Sequence, residues 1–197
     1  MNLTLKDLIQ AVVDTVQDAR RGARMIMAIQ LERRRRWELL LLIAVLSAFM
    51  AGLSLLIGGG SGFIVGGPAM LNPLTLGVAQ FFLLLSMVFG IHIVGTRFGG
   101  KGGLDEAILL VTWLQFVLIC LQVVQIVAMV FLPPLAFLIG VAGIGLFFWL
   151  LTAFVAELHG FSSTVGVFVS ILIVMVLFTT MFRFLLGVLG IAVLGAQ

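Results

Sequence analysis

The stretch "AILLVTWLQFVLICLQVVQIVAMVFLPPLAFLIGVAGIGLFFWLLTAFV", residues 107–155, decides the fold of this chain. It consists of two uncharged apolar runs that are separated only by Pro133 and Pro134. Each run is long enough to cross about 30 Å of hydrocarbon as an α-helix, which takes roughly 20 residues. Proline is tolerated in the first turn of a helix, and the diproline leaves almost no connecting chain. The stretch therefore predicts an antiparallel pair of membrane-spanning helices.

The rest of the chain has the same apolar character. Hydrophobic residues make up 62% of the 197 residues, charged residues make up 10%, and the mean hydropathy is +1.32. No water-soluble domain of this size could tolerate that composition on its surface. We predict an all-α integral membrane protein, a five-helix bundle with spans at about 39–57, 73–94, 107–132, 134–155 and 165–184. Residues 1–36 form a separate cytosolic segment, and residues 37–197 form the membrane domain.

The segment before the first span has the pattern of an amphipathic helix. Thr4 and Asp7 have the spacing of a capping box, and apolar residues then recur at helical spacing as far as Met27. Such a helix lies in the membrane interface or packs on the protein's own cytosolic face, and the sequence leaves both alternatives open. Gly22 is where we expect any division of this segment. The first apolar run begins only after Trp37, too late for a signal-peptide core, so we expect it to be retained as a span.

Basic residues are concentrated in the same N-terminal segment, since eight of the eleven precede Trp37. This asymmetry predicts a cytoplasmic N-terminus, and five crossings then place the C-terminus outside, with the residues after Gly187 along the outer interface. Interspersed acidic residues and the absence of alternating aromatic residues argue against nucleic-acid binding. We predict contacts with lipid headgroups. The residues concerned are Arg20, Arg21, Arg24, Arg33, Arg34, Arg35 and Arg36.

The glycine-rich stretch "GGKGGL", residues 99–104, could be taken for a phosphate-binding loop. Such a loop needs a Ser or Thr after its lysine and a preceding strand, and this stretch has neither. The sequence therefore predicts a flexible cytoplasmic turn. Asp105 and Glu106 fit the first turn of the third span, where acidic groups favour the positive end of the helix dipole.

Three titratable residues near the predicted inner boundary, His92, Glu157 and His159, are of types that ligate metals. In a continuous helix Glu157 and His159 would lie about 200° apart, which disfavours a shared site. Interfacial anchoring and helix termination are the favoured roles, and the sequence predicts no metal and no cofactor.

Four polar residues share one face of the third span: Thr112, Gln115, Gln122 and Gln125. Amides in hydrocarbon seek hydrogen-bond partners, so this face predicts interhelical hydrogen bonds; a transport path is the alternative. No span has an Asp, Glu or Lys at its centre, as coupled carriers usually do, and this favours packing.

Small residues at four-residue spacing form faces on two spans and allow helices to approach closely. They are Ala44, Ala48 and Gly52 in the first span and Ala136 and Gly140 in the fourth. They serve packing within the chain or a homo-oligomer, and the sequence does not choose. No Ser/His/Asp set and no HExxH motif is present, so we predict that the protein is not an enzyme.

Three stretches together resemble a known family: "TVQDARRGARMIMA" at 15–28, "FGGKGGLDEAILLVTW" at 98–113 and "FFWLLTAFVAELHGFSS" at 147–163. They resemble the Yip-one domain membrane proteins, which interact with Ypt/Rab GTPases, in their bacterial branch, over about residues 10–185. The resemblance implies five spans, a cytosolic N-terminus, homo- and hetero-oligomers and a bacterial inner membrane. The eukaryotic branch has an acidic-Leu-Tyr-Gly-Pro motif before the first span. Here "RRRRWELL" precedes it and the chain has no tyrosine, which argues against a small-GTPase partner.

These observations favour a non-enzymatic scaffold or partner of other membrane proteins or of itself. A small transporter or channel that uses the polar face of the third span is the alternative. A metal-dependent membrane enzyme at His92, Glu157 and His159 is the least favoured hypothesis.

Overall fold

The structure, a computed structural model, describes residues 4–58 and 73–188, with side chains as far as residue 181. The described residues form seven α-helices and no strand. The helices are α1 (Leu5–Gln17), α2 (Ala19–Met27), α3 (Arg33–Ile57), α4 (Pro73–Arg97), α5 (Leu104–Phe131), α6 (Pro133–His159) and α7 (Thr164–Val188). Helices α3 to α7 are long and apolar enough to cross a membrane. The predicted all-α integral membrane fold with five spans is confirmed.

The spanning helices extend beyond the predicted spans, mainly at one end of the bundle. α3 begins at Arg33, α5 begins at Leu104 and α6 ends at His159. The 28 residues of α5 measure about 42 Å, which exceeds the roughly 30 Å of hydrocarbon. We call this end, where α3, α5 and α7 begin and α4 and α6 end, the basic end, because it carries the four arginines that open α3.

Burial is concentrated near the basic end. All residues from 107 to 111 in α5 and from 150 to 156 in α6 are buried. A helix is buried on all sides only where other elements cover every face, and here α2 packs against both α5 and α6. Ala19, Ala23 and Ile26 are the buried apolar residues that α2 contributes. Farther along α5, Val123, Val124 and Val127 are exposed on the surface of the bundle.

The N-terminal segment is an elbow of two helices. The predicted capping box is confirmed, with the Asp7 N–H donating to Thr4 Oγ1 at 3.3 Å and the Thr4 N–H donating to Asp7 Oδ2 at 3.0 Å. The predicted division at Gly22 is wrong, because the break lies at Asp18, whose carboxylate caps α2 by accepting from the Arg21 N–H. Gly22 lies inside α2, where a Cβ would come within 2.7 Å of the Thr15 hydroxyl. Glycine there lets α2 lie against α1.

Several helix boundaries carry a local sequence signal. Pro133 is the first residue of α6, Gly160 ends α6 with a left-handed φ of 73°, and Ser163 Oγ accepts from the Gly166 N–H at 3.1 Å to cap α7. Residues 59–72 between α3 and α4 and the course of the chain after residue 188, predicted to follow the outer interface, lie outside the described residues.

Candidate functional site at the basic end

The elbow of α1 and α2 is fixed to three spanning helices. Arg24 Nη1 pairs with Glu157 Oε1 in the last turn of α6 at 3.0 Å. Arg20 Nη2 donates to Thr164 Oγ1 at the start of α7 at 2.9 Å. Thr15, which is fully buried, accepts from Trp113 Nε1 of α5 at 3.1 Å and donates to its own helix at the Ala11 carbonyl. Together these contacts make α2 part of the protein's own packing at this end.

The glycine-rich loop between α4 and α5 packs on the end of α6. The Lys101 N–H donates to the His159 carbonyl at 3.4 Å. A Cβ at Gly95 or Gly100 would overlap the His159 imidazole, and one at Gly102 would lie 2.9 Å from the Leu158 carbonyl oxygen. The predicted turn is present between α4 and α5, and Gly100 and Gly102 within it are needed for close approach to α6. Asp105 and Glu106 lie in the first turn of α5, as predicted.

The three candidate metal ligands do not converge. His92 Nδ1 lies 3.2 Å from the Gly102 carbonyl oxygen, and His159 Nδ1 lies 3.2 Å from that of Val155. Glu157 points instead to Arg24 on α2. His159 is 3% exposed and stacks on Phe161, with 5.5 Å between ring centroids. Across residues 4–58 and 73–188, no group of three or more His, Cys, Asp or Glu side chains is placed to hold a metal ion.

The arginines proposed to contact lipid differ in their surroundings. Besides the contacts of Arg20 and Arg24, Arg33 Nε lies 3.5 Å from Asp105 Oδ1, and Arg34 Nε lies 2.8 Å from Glu38 Oε1. Arg36 is half-buried, and its Nε donates to the Leu31 carbonyl at 3.0 Å. Arg21 and Arg35 are exposed. The basic end thus combines arginines that bind the protein itself with arginines open to the surroundings.

The glutamines of α5 bond to neighbouring helices. Gln115 Nε2 donates to Ser47 Oγ at 2.9 Å and Gln122 Nε2 to Ser54 Oγ at 3.3 Å, so two equivalent rungs join α3 to α5. Gln125 Nε2 donates to the Ala136 carbonyl of α6 at 3.2 Å. Thr112 bonds only within its own helix, to the Ile108 carbonyl, among the hydrogen bonds described.

Ser47 and Ser54, which accept these hydrogen bonds from Gln115 and Gln122, were not predicted as partners, although the sequence contains a signal. Ser47 and Ser54 are seven residues apart, as are Gln115 and Gln122, and seven residues make nearly two helical turns. Each serine hydroxyl also donates to its own helix, at the Ile43 and Met50 carbonyls. The serine can therefore accept from an amide while its own proton stays bonded.

Most of the small residues lie against neighbours in the same chain. Ala44, Ala48 and Ala136 are buried. A Cβ at Gly140 would lie 2.7 Å from Gln125 Nε2, so glycine makes room there for the amide. Gly52 differs, since a Cβ there would meet nothing within 4 Å.

A small cavity lies between α4, α5 and α6. Its volume is about 10 Å³, and its lining is entirely apolar, with Met87, Leu110, Leu114 and Phe154 among the lining residues. A water molecule needs at least this volume together with polar partners. The cavity offers no room for a solute.

Comparison with known proteins gives one match. A family model described as the Yip1 domain matches residues 18–193. The match begins at Asp18, between α1 and α2, and includes all five spanning helices. No curated protein and no solved structure matches the chain.

Proposed function

The chain belongs to the Yip1-domain family, and from this membership and its exposed helices we propose that it is a non-enzymatic membrane scaffold. It binds other membrane proteins or further copies of itself within the bilayer. The arrangement of two of its spans carries this proposal.

Helices α4 and α7 bury little of their surface against the rest of the chain. We compare the apolar 18-residue segment of each helix that would cross the membrane. Of this segment, 11% is buried in α4 and 6% in α7, compared with 44% in α5. The spanning segment of α5 is covered largely by other helices of the same chain. Helices α4 and α7 instead present long apolar faces to their surroundings. In a bilayer such faces contact lipid or the helices of neighbouring proteins.

The proposed setting is a bacterial inner membrane, with the basic end in the cytoplasm and the C-terminus outside. The excess of basic residues at that end supports this orientation. Exposed Arg21 and Arg35 are the arginines best placed to contact anionic headgroups. No small GTPase is proposed as a partner, because the tyrosine-containing motif is absent from the sequence.

Two observations support scaffolding over transport and catalysis. The amide groups of Gln115, Gln122 and Gln125 each donate a hydrogen bond to a neighbouring helix, as expected of residues that pack helices together. Glu157 is paired with Arg24, and one ring nitrogen of each of His92 and His159 contacts a backbone carbonyl, so the residues that suggested an enzyme have structural contacts.

Site-specific photo-crosslinking in native membranes tests the proposal. A photoreactive residue replaces Ile173 of α7 in one variant and Val127 of α5 in a matched control; each side chain is 54% exposed. We expect discrete protein adducts, or dimers of the chain, from position 173 and only lipid adducts from position 127. If position 173 gives no protein adducts, the chain purifies as a monomer, and vesicles containing it pass a solute that empty vesicles retain, then transport replaces scaffolding.

A further inference from the structure

An exposed apolar stripe runs along α1. Its members are Leu5, Ile9, Val13 and Val16, and they occupy an arc of about 80° on the helix. Their exposed fractions rise from 40% at Val16 to 74% at Leu5. The adjacent face of α1, with half-buried Leu8 and Val12 and buried Thr15, turns toward the protein. The elbow therefore leaves part of the apolar surface of α1 uncovered, increasingly so toward the N-terminus.

The depth at which the C-terminal end of α1 is attached to the bundle follows from the bond of Thr15 to α5. Thr15 accepts from Trp113, which lies about 14 Å along α5 from its first residue. From Trp113 to the end of α5 is about 27 Å, close to the hydrocarbon thickness of about 30 Å. Tryptophan is enriched at membrane interfaces. Trp113 therefore lies near the boundary between hydrocarbon and headgroups at the basic end.

Exposed apolar side chains of α3 lie at the same depth. Val45 precedes Ser47 by two residues, just as Trp113 precedes Gln115, and the Gln115–Ser47 bond places both pairs at one level. Val45 is 57% exposed on the outside of the bundle. A lipid-facing surface thus extends to the level at which α1 is attached.

The two carboxylates of α1, those of Asp7 and Asp14, lie on the other side of the helix, whereas Lys6 flanks the stripe beside Val13. Asp7 is bonded to Thr4, and this hydrogen bonding lowers the pKa of its carboxyl, so the charge persists at neutral pH. Asp14 accepts from Gln10 and lies about 140° around the helix from Ile9. The helix can immerse its apolar stripe while both carboxylates stay in water.

We propose that α1 inserts Leu5, Ile9, Val13 and Val16 into the lipid leaflet at the basic end of the bundle. The bilayer in which the protein sits is the occupant of this surface, because the attached end of the stripe, at Val16 beside Thr15, lies at the depth of the lipid-facing surface of α3. α1 precedes the segment that matches the family, so this contact is additional to the five-span domain. The proposed lipid contact does not depend on the scaffold function. Its effect is to hold α1 at the membrane surface.

Fluorescence quenching of the full-length chain in vesicles tests the proposal. The native thiol is removed by Cys120→Ala, and a polarity-sensitive fluorophore is attached to an Ile9→Cys or an Asp14→Cys variant. We expect a blue-shifted emission at position 9 that loses most of its intensity when lipids carry a spin label near the headgroup end of the acyl chain. The matched label at position 14 keeps a water-like emission and stays largely unquenched.

Three outcomes would overturn the proposal. The two positions could be quenched equally, or both could report water. Position 9 could also be shielded yet unaffected by spin-labelled lipid, with Ile9→Cys chains forming disulfide-linked dimers, and the stripe would then bind a second copy. The same fluorescence measurement on a Val13→Cys variant, one helical turn away, shows whether the result at position 9 is a local effect of that substitution.

Discussion

His159 and the glycines around it show how single residues set the close approach of helices at the basic end. The imidazole is nearly fully buried between Gly95 of α4 and Gly100 of the following loop. Any side chain at either glycine would occupy the space of the ring. Packing of this density is disturbed by single added carbon atoms. The glycines therefore act here through their small size, and not through loop flexibility.

We expect Gly95→Ala to lower stability by about 1–3 kcal/mol, as added carbon atoms do in packed cores, even though alanine favours helices over glycine. The measurement is the thermal unfolding midpoint of the purified chain in detergent. Gly90→Ala in the same helix is the control, because a Cβ there meets nothing within 4 Å. Equal midpoints for the two variants would contradict the proposed packing of His159.

Different features hold different pairs of helices together. The α3–α5 pair uses the ladder of Gln115–Ser47 and Gln122–Ser54, whereas α5 and α6 are joined by a connection so short that they must lie antiparallel. In lipid, where both helix surfaces are already apolar, such hydrogen bonds add to van der Waals packing. The ladder fixes the depth at which α3 lies beside α5.

A double-mutant cycle with Gln115→Leu and Ser47→Ala should give a coupling free energy of about 0.6–1.7 kcal/mol, the range for hydrogen bonds between membrane helices. Stability would be measured by reversible unfolding in mixed micelles. The cycle of Gln115→Leu with Ser54→Ala is the control and should be additive, since Ser54 lies about 10 Å farther along α3. Coupling absent from the first cycle would favour a path-lining role for Gln115.

The whole molecule is asymmetric along the membrane normal. Long helices, the elbow and the packed glycine loop all meet at the basic end, and the arginines that open α3 lie there too. Positive charge near the ends of spans determines the orientation in which they insert. The arginines and the packed elbow and glycine loop therefore lie on the same side of the membrane.

We expect reporter fusions at Lys101 to be active in the cytoplasm and fusions at Gln197 to be active outside. Five crossings starting from a cytoplasmic N-terminus require this result. A fusion at residue 28, between the elbow and α3, serves as the control for the cytoplasmic side. Cytoplasmic activity at Gln197 would contradict an odd number of crossings.

The sequence by itself determined the class of the protein, its five spans and several helix boundaries. These follow from the length of apolar runs, from prolines in first turns and from Gly160 and Ser163, all of which act locally. The capping box of Thr4 and Asp7 was predictable for the same reason. The glutamines of α5 were recognised as hydrogen-bonding groups, because an amide in hydrocarbon must find a partner.

Only the tertiary structure decided which surfaces meet. The break at Asp18, the packing of α2 on α5 and α6 and the close contact of the glycine loop with His159 depend on residues far apart in the chain. The amphipathic pattern of residues 4–27 could not tell lipid from protein, since both bury apolar side chains. The structure divides that pattern, placing α2 on the bundle and leaving the stripe of α1 uncovered. The physical reason is that a periodic pattern of apolar residues shows which face of a helix is buried but not what buries it. The complementary shapes of the helix surfaces determine which ones pack together.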